Sequence, residues 1–190
     1  MAISEDGILA DRARAGDLGH IDELVALYAA VFTAPPWNET GDDVEDFRRR
    51  LHTDADRPGF RAVIAGEDGF ATSWTTTLPL PPIRAYQRIE AYLGPDQVHE
   101  LLGGACEVDE LAVRASARRQ GLGRRLIEAA TARAERAWLV TSRDAPDTME
   151  FYRRVGWRQV PPLPGDRAAY GDLVVFVRSE PAGTHGVRAV

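Results

Sequence analysis

Apolar residues recur along this chain with two different periods, and the change of period marks where helices and strands are expected. In the helical segments an apolar residue returns every three or four positions, as on one face of an α-helix. Asp17 and Asp147 precede two of these segments, where an aspartate carboxylate is a favourable N-cap. The predicted helices are residues 18–32, 42–52, 122–134 and 147–154.

The predicted strands are short runs of apolar and β-branched residues bounded by Gly, Pro or Asp. The sequence Gly66-Glu67-Asp68-Gly69 separates two of them and predicts a hairpin turn. The strands are expected at residues 8–13, 60–65, 70–77, 105–113, 138–141, 157–160 and 173–178.

Residues 83–104 follow a proline-rich boundary and fit neither pattern over their whole length. One or two short helices are expected there, at about residues 84–92 and 96–102. A long connection with its own helices often forms a binding lid, so we interpret this segment as an insertion on the surface of the domain.

The order of these elements predicts the fold class. Hairpins supply antiparallel pairs and crossover helices supply parallel ones. The chain is therefore expected to form an α/β (α+β) domain with a mixed, mostly antiparallel sheet of six or seven strands and helices on both faces. Residues 1–180 are expected to form this single domain, and residues 181–190 a flexible tail.

Composition narrows the classes of function. The formal net charge is −6, which argues against a nucleic-acid partner and suits a cationic substrate. Cys106 is the only cysteine, so no internal disulfide is possible, and the four histidines lack the spacing of metal ligands. We therefore expect no metal.

The same sequence sets expectations about location and source. No apolar run approaches the ~20 residues that cross a bilayer, and the first residues carry no export signal, so we expect a cytoplasmic protein without a membrane partner. All 23 basic residues are arginine, which together with abundant Ala and Gly indicates GC-rich coding and a bacterial source. The sequence leaves a homodimer open as an alternative to a monomer.

The most informative segment is the turn at residues 118–124, which follows a predicted strand and begins a predicted helix. Its glycines at 121 and 123 allow a diphosphate to approach the backbone, where the first turn of a helix has amide groups without partners. A P-loop requires Lys-Ser/Thr after its second glycine, where Arg124 and Arg125 stand here, and a dinucleotide fingerprint requires a third glycine where Leu126 stands. The alternative is a basic helix start that binds nothing.

Three stretches in this order resemble the GNAT (GCN-five-related) N-acetyltransferase superfamily: Glu110-Leu111-Ala112-Val113, residues 118–123, and Phe151-Tyr152-Arg153-Arg154-Val155-Gly156-Trp157. The resemblance is strongest over residues 106–160 and weaker over residues 8–77. It implies a splayed central sheet, and acetyl-CoA as the co-substrate. The residues implied to hold the coenzyme are Leu111, Ala112 and Val113 for the pantetheine arm, and Arg118, Arg119, Gln120, Gly121, Leu122, Gly123 and Arg124 for the diphosphate.

Acetyl transfer to an amine needs a base, because the attacking nitrogen must be neutral. The strand before the turn carries Glu107, Asp109 and Glu110. Regular alternation places Glu107 and Asp109 on one face and Glu110 on the other, and a bulge would change this parity. The resemblance ranks Glu107 first as the base and Glu110 second; proton loss through water is the alternative.

Two further groups are expected at the reaction centre. A backbone N–H near Leu111 would stabilise the oxyanion if the strand is splayed there. The resemblance makes Tyr152 the general acid for the leaving thiolate, and the alternative is that Tyr152 only packs in the core.

The acceptor is the least determined part. Aromatic Trp37, Trp74 and Tyr86 are candidates for lining its pocket. The first hypothesis is direct acetyl transfer to the primary amine of a small molecule, of an aminoglycoside-like or polyamine-like kind. The alternatives are a protein or peptide N-acetyltransferase and a non-catalytic acyl-CoA sensor on the same fold.

Overall fold

A computed structural model describes residues 2–3, 9–11, 21–165 and 167–179 of the chain. Within these ranges the strands form one sheet in the order β1-β2-β3-β4-β5-β6-β8-β7. The strands are β1 (Ala2–Ile3), β2 (Leu9–Asp11), β3 (Arg61–Ala65), β4 (Gly69–Thr75), β5 (Cys106–Val113), β6 (Arg136–Ser142), β7 (Arg158–Gln159) and β8 (Leu173–Ser179).

The sheet is mixed and mostly antiparallel. Every neighbouring pair is antiparallel except β5 and β6, whose parallel pairing requires the crossover helix between them. Six strands are three residues or longer, and β1 and β7 are two-residue segments. The predicted fold class is confirmed.

Helices cover both faces of this sheet. The first three pack on the face that carries Phe70, Ala112 and Trp138, and the last two pack on the opposite face against Ala71 and Leu139. The helices are α1 (Ile21–Phe32), α2 (Gly41–Asp54), α3 (Arg84–Gln97), α4 (Leu122–Ala130) and α5 (Pro146–Arg154).

Helix α2 owes its position to a cap and to an aromatic contact. The Asp43 N–H donates to Thr40 Oγ1, and the Asp43 carboxylate accepts the Thr40 N–H at 2.8 Å, a capping box that stabilises the first turn of the helix. The Phe47 ring stacks on Tyr28 of α1 with centroids 4.0 Å apart. Helices α1 and α2 therefore form one layer over β4 and β5.

The segment predicted as a surface insertion lies in the core instead. Helix α3 kinks at Gly94, where φ is +74°, and continues into a π-helical turn at Val98–Leu102. Its apolar side chains follow helical spacing and pack on β6 and β8, so the sheet face would be exposed without it. The buried residues of this layer are Tyr86, Ile89, Tyr92, Leu93, Val98 and Leu102.

Of the two predicted N-caps, only Asp147 lies in the described part of the chain. Asp147 lies in the first turn of α5 and does not cap it, because Pro146 takes the first helical position, where its fixed φ and missing N–H are favourable. Asp17 and the tail at 181–190 lie outside the described residues.

The sheet opens between its two parallel strands. Strand β5 pairs with β6 only from Cys106 to Val108, opposite Ala137 to Leu139. Both strands continue beyond this point, β5 to Val113 and β6 to Ser142, without pairing to each other. This splay, the open gap between residues 109–113 and 140–142, leaves that stretch of β5 without a strand partner on its β6 side.

Candidate active site

A β-bulge in β5 brings the two predicted bases to one face of the sheet. Thr72 of β4 lies opposite Glu110, and the next residue, Ser73, lies opposite Val108, so Asp109 is the extra residue. Glu107 and Glu110 therefore share the face covered by α1, α2 and α3. Their predicted placement on opposite faces is wrong, because it assumed regular alternation.

The ladder between β4 and β5 leaves the Leu111 backbone free of β4. Arg114 N–H donates to the Asp68 carbonyl at 2.8 Å, which makes residues 68 and 114 a hydrogen-bonded pair. Since such pairs alternate, Leu111 and Val113 direct their N–H and C=O groups away from β4 and into the splay. The Val113 carbonyl accepts a 3.0 Å bond from Arg118 Nε there. The Leu111 amide thus has no partner on β4.

Glu107 is the most enclosed carboxylate of the site. Its Oε2 accepts from Trp74 Nε1 at 2.9 Å, and the Tyr86 hydroxyl donates to the same carboxylate at 3.0 Å. Burial and the neighbouring Asp109 raise the pKa of Glu107 to about 8, which its two hydrogen bonds only partly oppose. Both oxygens are thus engaged by protein groups.

A guanidinium group packs over the rings that bind Glu107. The Arg57 guanidinium lies 4.5 Å from the Trp74 ring centroid and bonds Asp54 at 2.7 Å. It also donates to the Tyr86 hydroxyl at 3.4 Å. This contact fixes the end of α2 against β4 and the start of α3.

Asp109 and Glu110 share the guanidinium of Arg50. The N–O distances are 3.5 Å to Asp109 and 3.4 Å to Glu110, and the two acidic side chains are 21% and 13% exposed. Burial raises the pKa of Asp109 to about 6, with Arg50 opposing the rise. Burial and the charge of Asp109 raise the pKa of Glu110 well above its usual range. Glu110 is thus held at the splay, with a guanidinium at one side only.

Tyr152 of α5 lies within electrostatic range of Glu110. It is 6% exposed and packs against Trp157 and Phe176, and its hydroxyl has no hydrogen-bond partner among the described residues. Burial raises the pKa of Tyr152, and the charge of Glu110 adds to the rise, which places the two groups in one electrostatic environment. The phenol is therefore protonated at neutral pH and free to donate.

The turn at residues 118–124 is exposed and has unsatisfied amide groups. The first helical bond of α4 runs from Arg125 N–H to the Gly121 carbonyl, and the amides of residues 119–124 donate to no group in the described part of the chain. Six adjacent amide donors at a helix N-terminus form a site suited to an anion. The exposed Arg119 adds a guanidinium without a partner of its own in this part of the structure.

The two glycines of this turn serve different purposes. Gly121 has φ of +79° and open space where a side chain would project, so a ligand can approach its backbone. A Cβ at Gly123 would lie 3.3 Å from the Phe151 ring, so this glycine permits α4 to pack on α5. The sequence prediction that both glycines clear space for a diphosphate therefore holds geometrically for Gly121 only.

The predicted acceptor-lining aromatics do not lie together. Trp74 and Tyr86 are 3% and 5% exposed and contact Glu107, whereas Trp37 packs edge-on against Phe32 of α1. Sequence reasoning missed Arg50, Arg57 and Thr72. Their positions depend on how α2 and β4 lie against β5, and no local motif carries that information.

No cluster of three or more His, Cys, Asp or Glu in the described part of the chain has the arrangement of a metal site. None of its helices has the length and apolar character of a membrane span.

The comparison with known protein families matches the same elements that form the candidate site. Residues 85–159 match the profile of the acetyltransferase (GNAT) domain, which covers α3, β5, the turn, α4, β6 and α5. No curated protein matches the sequence. The match begins within α3, so this helix belongs to the shared domain.

Solved structures share the fold over nearly the whole chain. A GNAT-family acetyltransferase from Streptococcus agalactiae has a TM-score of 0.65 at 11% identity, with 95% of this chain and 99% of that chain covered. A protein from Pyrococcus horikoshii has a TM-score of 0.60 at 15% identity, with 92% and 99% covered. The PaiA N-acetyltransferase of Thermoplasma acidophilum, solved with coenzyme A, has a TM-score of 0.55 at 10% identity, with 90% and 98% covered. At these identities the likeness shows the fold.

Proposed function

The chain contains a GNAT acetyltransferase domain, and from this premise we propose that it transfers the acetyl group of acetyl-CoA directly to a primary amine of a small molecule. Acetyl-CoA supplies the activated thioester carbonyl. Side chains and backbone amides of this chain would supply the other groups of the reaction.

The coenzyme is proposed to lie on the α4 side of β5. The amides of residues 119–124 would bind its diphosphate, with Arg118, Arg119 and Arg124 as cationic donors. The pantetheine arm would enter the splay and pair with the backbone groups of Leu111 and Val113 that are directed away from β4, as an added strand does. The turn fits the coenzyme because the amides of residues 119–124 have no partner in the described part of the chain.

Glu110 is the better placed of the two candidate bases. The oxygens of Glu107 are engaged by Trp74 and Tyr86, whereas Glu110 has one 3.4 Å contact, to Arg50, and lies at the splay. A carboxylate with a raised pKa is also a stronger base toward an ammonium ion. We assign proton removal to Glu110 and the support of α3 to Glu107.

We assign one hydrogen-bond donor to the acetyl carbonyl oxygen and another to the leaving thiolate. The Leu111 amide, directed into the splay, would stabilise negative charge on the carbonyl oxygen. The Tyr152 hydroxyl would protonate the departing thiolate. The observation that carries this proposal is the run of amides at residues 119–124 without a partner in the described chain, which follows the stretch of β5 that is not paired with β6.

A matched pair of glycine variants tests the coenzyme site. Gly121→Glu is expected to lower CoA affinity at least about 100-fold, because it places a carboxylate where the diphosphate would bind and removes the approach to the backbone. Gly104→Glu is the control, since Gly104 has φ of +72°, is exposed and also has open space around it, but lies at the other end of β5. Affinity is measured by isothermal titration calorimetry with CoA.

The comparison between the two variants separates a loss of the diphosphate site from an effect of backbone strain, because both glycines have a positive φ. Equal affinity of Gly121→Glu and Gly104→Glu for CoA would contradict the assignment of the turn. Thiol release from acetyl-CoA with a panel of amines and peptides then tests the reaction. Turnover with peptides alone would favour the protein acetyltransferase, and tight CoA binding without any turnover would favour the sensor.

A further inference from the structure

A cavity of about 590 Å³ opens between α3 and the connection from β7 to β8. Its size is that of a small-molecule site. Nitrogen donors of Arg84, Gln87 and Arg88 line it on the α3 side, and Asp172 and small residues line it on the other side. Its lining in the described part of the chain includes neither the turn at residues 118–124 nor the acids of β5, so this arginine cavity is a separate feature of the molecule.

Arg88 is held in place by one edge of its guanidinium group. Its Nε and Nη2 donate to the Tyr170 carbonyl at 3.2 and 2.8 Å, and Nη2 also donates to the Asp172 carboxylate at 2.7 Å. Gly171 permits this approach, because its φ is +64° and a Cβ there would lie 3.2 Å from Nη2. Nη1 donates to no group of the described residues, so Arg88 retains a donor whose position is already fixed.

Arg84 adds a second guanidinium group one helical turn before Arg88. It is exposed and forms no hydrogen bond or ion pair with the described residues. Hydrogen bonds from Ser142 and Arg88 lower the pKa of Asp172, which keeps this carboxylate ionised at neutral pH. Two guanidinium groups thus face one carboxylate, and the lining suits a ligand with a single negative charge.

The arginine cavity adjoins the splay on the face where Glu110 lies. Ser142, the last residue of β6, donates to the second oxygen of Asp172 at 2.5 Å. Strand alternation places Ser142 and Val140 on the face of Trp138, which packs under α3. Val140 is 38% exposed although β6 is an interior strand, so the helices leave the face open between the splay and the cavity.

We infer that the acceptor is an amino acid with its amine and its carboxylate at opposite ends, in which Arg84 and Arg88 bind the carboxylate while the amine reaches Glu110. This inference rests on the proposed function and specifies its substrate class. Guanidinium groups recognise a carboxylate through charge-assisted hydrogen bonds to both of its oxygens.

The sheet sets the length of such an acceptor. Leu173 lies opposite Ser142, so Asp172 is about one strand spacing beyond β6 and at least two beyond β5, or about 10 Å. The side chains of Glu110 and Arg88 cover part of this span. Several carbon atoms must therefore separate the amine from the carboxylate.

The charges of the cavity also predict which acceptors are disfavoured. A diamine would place its second ammonium beside Arg84 and Arg88 and be repelled. An uncharged alkylamine would leave the two guanidinium groups without an anion. We therefore expect the order amino acid, monoamine, diamine among molecules of equal length.

The test compares 6-aminohexanoic acid, 1-aminohexane and 1,6-diaminohexane as acceptors of acetyl-CoA. The amino acid is expected to have a kcat/KM at least about tenfold above that of the monoamine, the factor that one charge-assisted hydrogen bond provides. Arg84→Gln is expected to reduce this ratio to about twofold. Arg133→Gln is the matched control and is expected to keep the ratio, since Arg133 is exposed and follows α4 on the opposite face of the sheet.

Reversal of a charge gives a second readout, which a merely structural role of Arg84 would not produce. Arg84→Glu leaves two carboxylates and one guanidinium group in the lining. It is expected to invert the order of acceptors, with a kcat/KM for 1,6-diaminohexane at least about threefold above that for 6-aminohexanoic acid. An unchanged order in this variant would overturn the place of Arg84 in the site.

Binding of the product separates this inference from the proposed function, because it needs no turnover. In calorimetry on the CoA-bound protein, 6-acetamidohexanoic acid is expected to bind the wild type at least about fivefold more tightly than Arg84→Gln. Equal binding by the two proteins, or equal kcat/KM for the amino acid and the monoamine, would overturn the inference and leave the acetyltransferase intact. Binding that Arg84→Gln weakens, without acetylation of any of the three amines, would overturn the proposed function and support the cavity as a carboxylate site.

Discussion

The two sides of strand β5 carry opposite charges and are organised in different ways. On the α4 side, the turn at residues 118–124 is exposed, basic and built from consecutive residues, with free amides and a glycine at φ of +79°. On the α1–α2 side, the carboxylate cluster of Glu107, Asp109 and Glu110 is mostly buried, and three other elements contact it, through Arg50 of α2, Trp74 of β4 and Tyr86 of α3. An anion site can be built locally because a helix N-terminus supplies its donors, whereas the carboxylate cluster requires long-range packing.

This difference has a consequence for energetics. The arginines of the turn are exposed to water, so the turn is stable without a bound anion. The cluster buries its acids, and burial raises the pKa of both Glu107 and Glu110. Variants on the turn should therefore act on coenzyme binding, and variants in the cluster on catalysis and stability.

The largest expected effect separates the two candidate bases within the cluster. Glu110→Gln is expected to lower kcat at least about 100-fold, because the amide cannot take the ammonium proton. Since its pKa is raised, the wild-type kcat should increase with pH as Glu110 ionises, and this limb should be absent from the variant. Steady-state kinetics between pH 5.5 and 9.5 measure both.

Glu107→Gln is the matched control for this experiment. It makes the same chemical change three residues away on the same face, where both oxygens already have protein partners. A larger loss of kcat in Glu107→Gln than in Glu110→Gln would reverse the assignment of the base.

A smaller loss of kcat is expected when Tyr152 loses its hydroxyl. Tyr152→Phe retains the packing against Trp157 and Phe176 and removes only the hydroxyl, which bonds no described residue. It is expected to lower kcat about tenfold or more with acetyl-CoA affinity within about twofold, since the proton transfer occurs in the reaction and not in binding. Unchanged kcat would leave Tyr152 as a core residue.

The same contrast explains how much the sequence could predict. The turn, its glycines and Tyr152 lie in contiguous motifs, and helix and strand periodicity was enough to predict the fold class. The bulge at Asp109 was not predictable, because it depends on how β4 and β5 pair, and it moves Glu110 to the face of Glu107. The burial of α3 was missed because Gly94 and Pro95 interrupt its period, although its apolar spacing before the kink indicated a core helix.

The smallest expected effect is on thermal stability. It tests whether the burial of carboxylates on the α1–α2 side lowers the stability of the folded protein, as the exposed turn does not. Because the folded pKa of Glu107 is raised to about 8, the folded protein holds a proton that the unfolded chain releases near pH 4.5. The resulting stabilisation is complete below the unfolded pKa and is lost as pH rises through about 8, so the wild-type Tm should fall between pH 6 and 9.

Glu107→Gln cannot ionise and retains a carbonyl acceptor for Trp74 or Tyr86. Its Tm should fall over this interval by at least about 3 °C less than that of the wild type, which corresponds to roughly 1 kcal/mol for a chain of this length. Differential scanning fluorimetry at fixed ionic strength measures both curves, with the exposed Asp42→Asn variant as the control for surface charge. Parallel curves for Glu107→Gln and the wild type would show that Glu107 is already ionised in the folded protein.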